Sequence, residues 1–266
     1  MTAREEVELF GGSESLFGCR HLPSAPTGAG VVICASGPFD GAVDQGRVAR
    51  LGRRLAGAGV AVQRFHYRGT GWSDGDAGAL GFRRLVDDAG SALRLIRSAG
   101  VDRLGFVGAR FGALVAARLA HDLPGAPVAV WEPVVDPRRL LEHAVAAGVV
   151  DLLDTPLAAE LFEGTLVGSL VDELGGSPRP LLLVQTGPPP SLRADYKTVA
   201  ERARARGLTV ETACHPCDGV LGGLPVPAAP ADELIEHTSA WLAAHLVPAP
   251  RGVPGAAAVT STVTAP

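Results

Sequence analysis

Five residues, Gly108-Ala109-Arg110-Phe111-Gly112, carry the sharpest chemical signal in this chain. An apolar run, Leu104-Gly105-Phe106-Val107, leads into them, and an apolar-periodic stretch from Ala113 to Leu123 leads out. A strand, a glycine-flanked turn and a helix in that order hold the central side chain at a tight corner, because two backbones crowd there. The side chain at the tip is Arg110. Its guanidinium stays protonated and can neither attack a carbonyl nor accept a proton. It can hold an anion. The N-terminus of the following helix favours negative charge, and a guanidinium adds a planar, two-pronged donor for a carboxylate, a phosphate or an acyl oxygen. The competing arrangement is a buried ion pair with Glu132, which follows the apolar run Val128 to Trp131.

Other residues could complete a reaction. His215, within Cys214-His215-Pro216-Cys217, follows the last predicted strand and is a candidate base. Two amides, from Phe111 and from the loop Ser36-Gly37-Pro38-Phe39, could stabilise an oxyanion. Pro38 has no N–H, which leaves Phe39 as the donor in that loop. Ser36 is a candidate displaced nucleophile, although serine in such loops is ordinarily a turn former. Cys214 and Cys217 are a lone pair, whereas structural zinc needs four ligands. No metal site and no cofactor are therefore expected. A Cys nucleophile beside His215 remains open as a minor alternative.

The elements that must position these residues are legible as periodicity. Two short strands, Val7 to Phe10 and Leu16 to His21, read as a hairpin. Continuous apolar runs at 31–35 and 60–65 predict strands buried on both faces. Helical spacing covers 45–58 and 82–99, with Leu85, Ala89, Leu93 and Ile96 on the buried stripe of the second. Further strands are predicted at 128–131, 180–185 and 208–213, with a last helix at 232–246. Asp87-Asp88 and Glu201-Arg202 read as solvated helix faces. Strands alternating with helices of this length imply a mostly parallel sheet. The segment 136–177 is apolar and mostly helical, placed where a small cap would be inserted. Residues 248–266, rich in Pro, Ala, Gly and Thr, predict a disordered tail after a domain spanning 1–247.

A second motif, His66-Tyr67-Arg68-Gly69-Thr70-Gly71-Trp72-Ser73-Asp74-Gly75, resembles the D-x-R-G-x-G-x-S stretch after the fourth strand of the α/β-hydrolases. Together with Gly108 to Gly112 it makes the chain, over roughly Val7 to Leu246, similar to that superfamily. The likeness is to a branch of exosortase-associated and biosynthetic-cluster hydrolase-like proteins. That branch also has a Pro-Phe pair like Pro38-Phe39, a stretch like Trp131-Glu132-Pro133-Val134-Val135, and an arginine in place of the elbow serine. The resemblance implies a three-layer α/β-hydrolase fold, with a mostly parallel central sheet of about eight strands. It also implies a triad acid after Leu181 to Val184, where Gln185-Thr186-Gly187 offers no carboxylate, and a base near His215. The expected triad is degenerate.

The 266 residues are 47% hydrophobic and 20% charged, ample for one globular core. A net charge of −4, from 24 basic and 28 acidic residues, gives no reason to expect nucleic acid or an anionic membrane as partner. No secretory leader and no apolar run of about 18 residues is visible, so the cytoplasm is the expected location. Two functions follow. One is an enzyme acting on a small acyl ester, thioester or related metabolite by a serine-less route, with Arg110, His215 and Glu132 doing the chemistry and Phe111, Phe39, Ser36 and Gly37 lining the site. The other is a catalytically dead relative that binds a small anionic ligand, or serves a biosynthetic pathway as an accessory or dimerising subunit.

Overall fold

The computed structural model describes residues 4–36, 44–138, 156, 159–160, 167–221, 224–227 and 229–248. Strands β1 (Arg4–Gly11) and β2 (Ser15–Leu22) form the expected hairpin. They are followed by β3 (Ala29–Cys34), helix α1 (Gln45–Gly57), β4 (Val60–Phe65), α2 (Phe82–Ser98), β5 (Arg103–Ala109), α3 (Gly112–His121) and β6 (Val128–Trp131). Then come α4 (Leu170–Leu174), β7 (Pro180–Gln185), α5 (Ala194–Ala205), β8 (Thr209–Cys214), β9 (Asp218–Leu221), β10 (Leu224–Pro227) and α6 (Asp232–Leu246).

Eight strands make one sheet in the order β1-β2-β4-β3-β5-β6-β7-β8, antiparallel at β1 and β2 and parallel from β4 to β8. The apolar runs without alternation are the strands buried on both faces, as in β3, where every residue is buried. One face packs Leu85, Phe106, Phe111, Leu170 and Tyr196 under α2 to α5, and the other packs Leu51, Leu55, Trp131, Leu234 and Leu242 under α1 and α6. Three layers result. Register decides what happens at the sheet's carboxyl edge: Cys34 lies beside Gly108, Ala109 beside Trp131, Trp131 beside Val184, and Gln185 beside Cys214. Residues just past these ends leave the sheet side by side.

Two local features differ from the sequence reading. The β9–β10 hairpin was not expected, although Gly222-Gly223 between two apolar pairs is a sequence signal for a tight two-residue connection. Asp88 does not lie on a solvated face: it is fully buried and accepts from the Arg68 backbone at 2.9 Å and from its guanidinium at 2.6 Å. Arg68 therefore ties the glycine-rich turn after β4 to α2, and a further bond to Glu14 at 3.0 Å ties it to the first hairpin. Most of the predicted cap, 136–177, and nearly all of the predicted tail lie outside the described residues. Within that segment, Glu160 accepts from the Phe82 amide at 2.5 Å, placing a carboxylate at the positive end of the α2 dipole.

His21 on β2 is fully buried and accepts from Arg64 Nε at 3.0 Å. It fits because α1 has glycine at position 52, where a Cβ would stand 2.6 Å from the ring. Burial, then the Arg64 charge, push its pKa down to about 4, with Glu5 pulling partly back. The unfolded imidazole takes up its proton near pH 6.5. Its contribution to stability is therefore complete above that pH and is lost as pH falls toward 4, by on the order of 3 kcal/mol. Urea unfolding at pH 7 and pH 4.5 will show this loss in the wild type and a clearly smaller one in His21→Gln. Equal pH dependence in the two proteins would place the effect elsewhere.

Candidate functional site

The elbow turns where β5 ends. Gly112 is required there because a Cβ would lie 2.1 Å from the Ala35 carbonyl at the end of β3, and a Cβ at Gly108 would lie 2.5 Å from Ala113 Cα. Arg110 takes φ +50°, the left-handed region that non-glycine residues rarely occupy, and Glu132 at the end of the neighbouring β6 takes φ +44°. The Arg110 amide donates to the Trp131 carbonyl at 2.8 Å, and its own carbonyl accepts from Val134 at 3.1 Å. Both strand ends are thus tied to each other through their strained residues.

The Arg110 side chain is 12% exposed and meets carboxylates from two other loops. Its Nη2 donates to Asp218 Oδ2 at 2.8 Å, and its Nε stands 3.7 Å from Asp44 Oδ2 without making a hydrogen bond. Asp218 Oδ2 also accepts from Thr186 Oγ1 at 2.6 Å, while Asp218 Oδ1 accepts from Arg47 Nη1. Arg47 Nη2 donates to the Cys217 carbonyl at 2.8 Å, and its Nη1 lies 3.6 Å from Asp44. Ser36 donates its hydroxyl to Asp44. Ser36, Asp44, Arg47, Thr186 and Asp218 are all buried. Burial would lower the Arg47 pKa, but the hydrogen bond and charge of Asp218 outweigh it and raise the pKa. Two guanidinium and two carboxylate groups balance in charge. This is a closed knot.

The competing ion pair between Arg110 and Glu132 does not form. Glu132 instead accepts from the Thr186 amide at 2.7 Å, the Gly187 amide at 3.0 Å and the Arg193 guanidinium. Backbone amides were nearer than Arg110 because β7 runs beside β6 in register. His215 also parts company with Arg110: its Nε2 lies 2.9 Å from His237 Nδ1 on α6, over an open groove beside α1. The Phe111 ring is buried in the core, edge-on to Phe82 at 6.2 Å. Ser36 joins the knot through Asp44, to which it donates its hydroxyl. Gly37 and Phe39 lie outside the described residues. Burial raises the pKa of both Cys214 and Cys217, so neither is a ready thiolate.

Asp44, Arg47, Thr186, Asp218 and Arg193 were not singled out from sequence. The available signal was indirect: a buried arginine demands a carboxylate, and Asp218 is the first one after β8. None of the described cavities is lined by Arg110.

By sequence, no family model matches this chain and no curated protein matches it. By structure, it is similar to an esterase from Pyrococcus furiosus, at 13% identity over 91% of this chain and 90% of that one, with a TM-score of 0.65. A protein of Butyrivibrio proteoclasticus bound to ferulic acid matches at 14% identity over 87% and 94%, with a TM-score of 0.63. An α/β serine hydrolase homologue from Coxiella burnetii matches at 19% over 91% and 97%, with a TM-score of 0.58. The architecture is that of the α/β-hydrolase fold. In that fold the nucleophile occupies the elbow, and the acid and then the histidine follow in chain order. Here the elbow holds Arg110, the loop after β7 holds Thr186, and the loop after β8 delivers Asp218 to the elbow side chain.

The knot pairs Arg110 with Asp218. Truncating it removes one charged donor from Asp218, which keeps Arg47 and Thr186, a loss of about 1.5 to 3 kcal/mol. Urea unfolding at pH 7 will show Arg110→Ala destabilised on that scale. An unchanged midpoint would mean that the guanidinium contributes nothing to the folded state.

Proposed function

We propose that this chain is a pseudo-hydrolase: an α/β-hydrolase-fold protein whose elbow, in place of a nucleophile, carries a structural ion pair, and which serves its pathway as an accessory or binding subunit. The observation that carries this is the 2.8 Å contact between Arg110 Nη2 and Asp218 Oδ2, with Thr186 at 2.6 Å on the same oxygen. Acyl transfer needs an attacking atom, a base within reach of it, and a group that orients the base. Here the elbow side chain cannot attack, its partner is a carboxylate already saturated with donors, and the orienting position is a hydroxyl. The neutralising carboxylates also remove most of the positive charge that an anionic substrate would seek.

One observation supports a second reading, in which a small acyl or carboxylate group is bound and turned over without serine. Arg110 Nε makes no hydrogen bond and is a buried donor without an acceptor. The esterase and hydrolase names among the structural neighbours support acyl esters as the class to test.

The two readings separate in one assay. A panel of p-nitrophenyl acetate, butyrate and octanoate, with an acetyl thioester, will give no turnover above a heat-denatured control under the first reading. Rebuilding the missing roles, as Arg110→Ser with Thr186→Asp and Asp218→His, is expected to raise ester hydrolysis about 100-fold above that background, the low end of general acid–base assistance. Wild-type turnover that disappears in Arg110→Ala would overturn the proposal and establish the enzyme reading.

A further inference from the structure

Away from the elbow, two histidines face each other. His215 is set in the loop after β8, its backbone pinned by a 2.9 Å bond from its amide to the Gln185 carbonyl. His237 is carried by α6. The rings are inclined at 77°, and His215 Nε2 lies 2.9 Å from His237 Nδ1. Each outer nitrogen is faced by a carboxylate. Glu211 Oε1 of β8 is 3.2 Å from His237 Nε2, and Glu233 Oε2 of α6 is 3.7 Å from His215 Nδ1. A carboxylate accepts, so it favours the tautomer in which its own nitrogen carries the proton. With both outer nitrogens protonated, two lone pairs converge on one point. A shared proton or a metal ion can fill the gap between them.

We propose that His215 and His237 form a two-histidine site for a divalent transition metal, of the class Zn²⁺ and Cu²⁺, with Glu211 and Glu233 as orienting partners. Imidazole suits these ions, and a carboxylate behind each ligating histidine is the usual outer arrangement of a metal–histidine site. An ion at about 2.0–2.1 Å from each nitrogen would set them roughly 3.3 Å apart at a tetrahedral angle, a small opening from the observed 2.9 Å. A proton is the rival occupant. Among the described residues no cluster of three or more metal-binding side chains occurs. The remaining coordination positions therefore open to water, in a groove of about 940 Å³ between α1 and α6. The cations on the α1 wall do not oppose an ion there, since Arg50 pairs with Asp232, Arg54 with Glu236, and Arg53 with Glu5. Binding releases whatever proton the pair shares and strengthens as pH rises.

The test is calorimetric titration of the full, untagged chain with Zn²⁺ at pH 7.5 and pH 5.5. One ion per chain is expected at pH 7.5, with affinity falling at least 10-fold in His215→Ala and in His237→Ala, and falling again at pH 5.5. Glu211→Gln leaves both rings in place and is expected to weaken binding about 10-fold, so it carries the test if either alanine variant loses its circular dichroism. No saturable binding, binding unaffected by these substitutions, or binding lost only in Cys214→Ser would overturn the proposal. The ester panel does not bear on it, since the pair does not touch the Arg110 knot.

Discussion

The rest of the sheet's carboxyl edge depends on one ion pair, between Arg110 at the end of β5 and Asp218 at the start of β9. Charges are costly to bury singly and tolerable only when paired and fully hydrogen-bonded. That demand reaches outward. Asp218 takes Arg110, Arg47 and Thr186, and Arg47 takes the Cys217 carbonyl. Asp44 closes the circuit to Ser36 and lies near both arginines. Loops following β3, β5, β7 and β8 are thus fixed to one another by groups that cannot leave without stranding a partner. Such a knot adds little net stability over an apolar filling of equal volume, but it specifies where each loop must sit.

A second set of contacts lies beside it and explains two strained residues. Arg110 and Glu132 both adopt positive φ at the ends of adjacent strands, at a cost of order 1–3 kcal/mol each. Each is held by its side chain: Arg110 by the knot, Glu132 by two amides and Arg193 from the loop after β7. Arg193 lies in turn over the Tyr196 ring, 4.1 Å from its centroid, while the Tyr196 hydroxyl donates to the Pro133 carbonyl at 3.1 Å. Thr186 joins the two sets, its amide donating to Glu132 and its hydroxyl to Asp218. In this fold such strain ordinarily serves to present a nucleophile. Here the same backbone is kept while the side chain it presents turns inward to a counter-ion.

Fold and chemistry therefore separate cleanly. Backbone crowding at Gly108 and Gly112 is a demand of the strand-to-helix turn and persists whatever side chain stands between them. The charge pattern at the tip is free to change because it is satisfied by loops outside the sheet. Two other arginines show the same logic: Arg68 carries Asp88 and Glu14, and Arg193 carries Glu132, each stapling one loop to an element it must follow.

By itself the sequence determined the layered fold. Uninterrupted apolar runs and helical spacing are local consequences of burial, so β3, β4, β6 and β7 and helices α1, α2 and α3 were legible within a residue or two. The arginine tip and the missing triad acid were legible for the same reason, being matters of residue type at a motif position. Tertiary structure alone decided the partners. Asp218 lies 108 positions from Arg110 and Asp88 lies 20 from Arg68, and nothing in local periodicity separates a buried, paired carboxylate from a solvated one. Glu132 and His215, plausible neighbours of Arg110 by motif order, were claimed by the Thr186 and Gly187 amides and by His237. Pairing is settled by distance across strands in register, and that distance does not exist until the sheet is built.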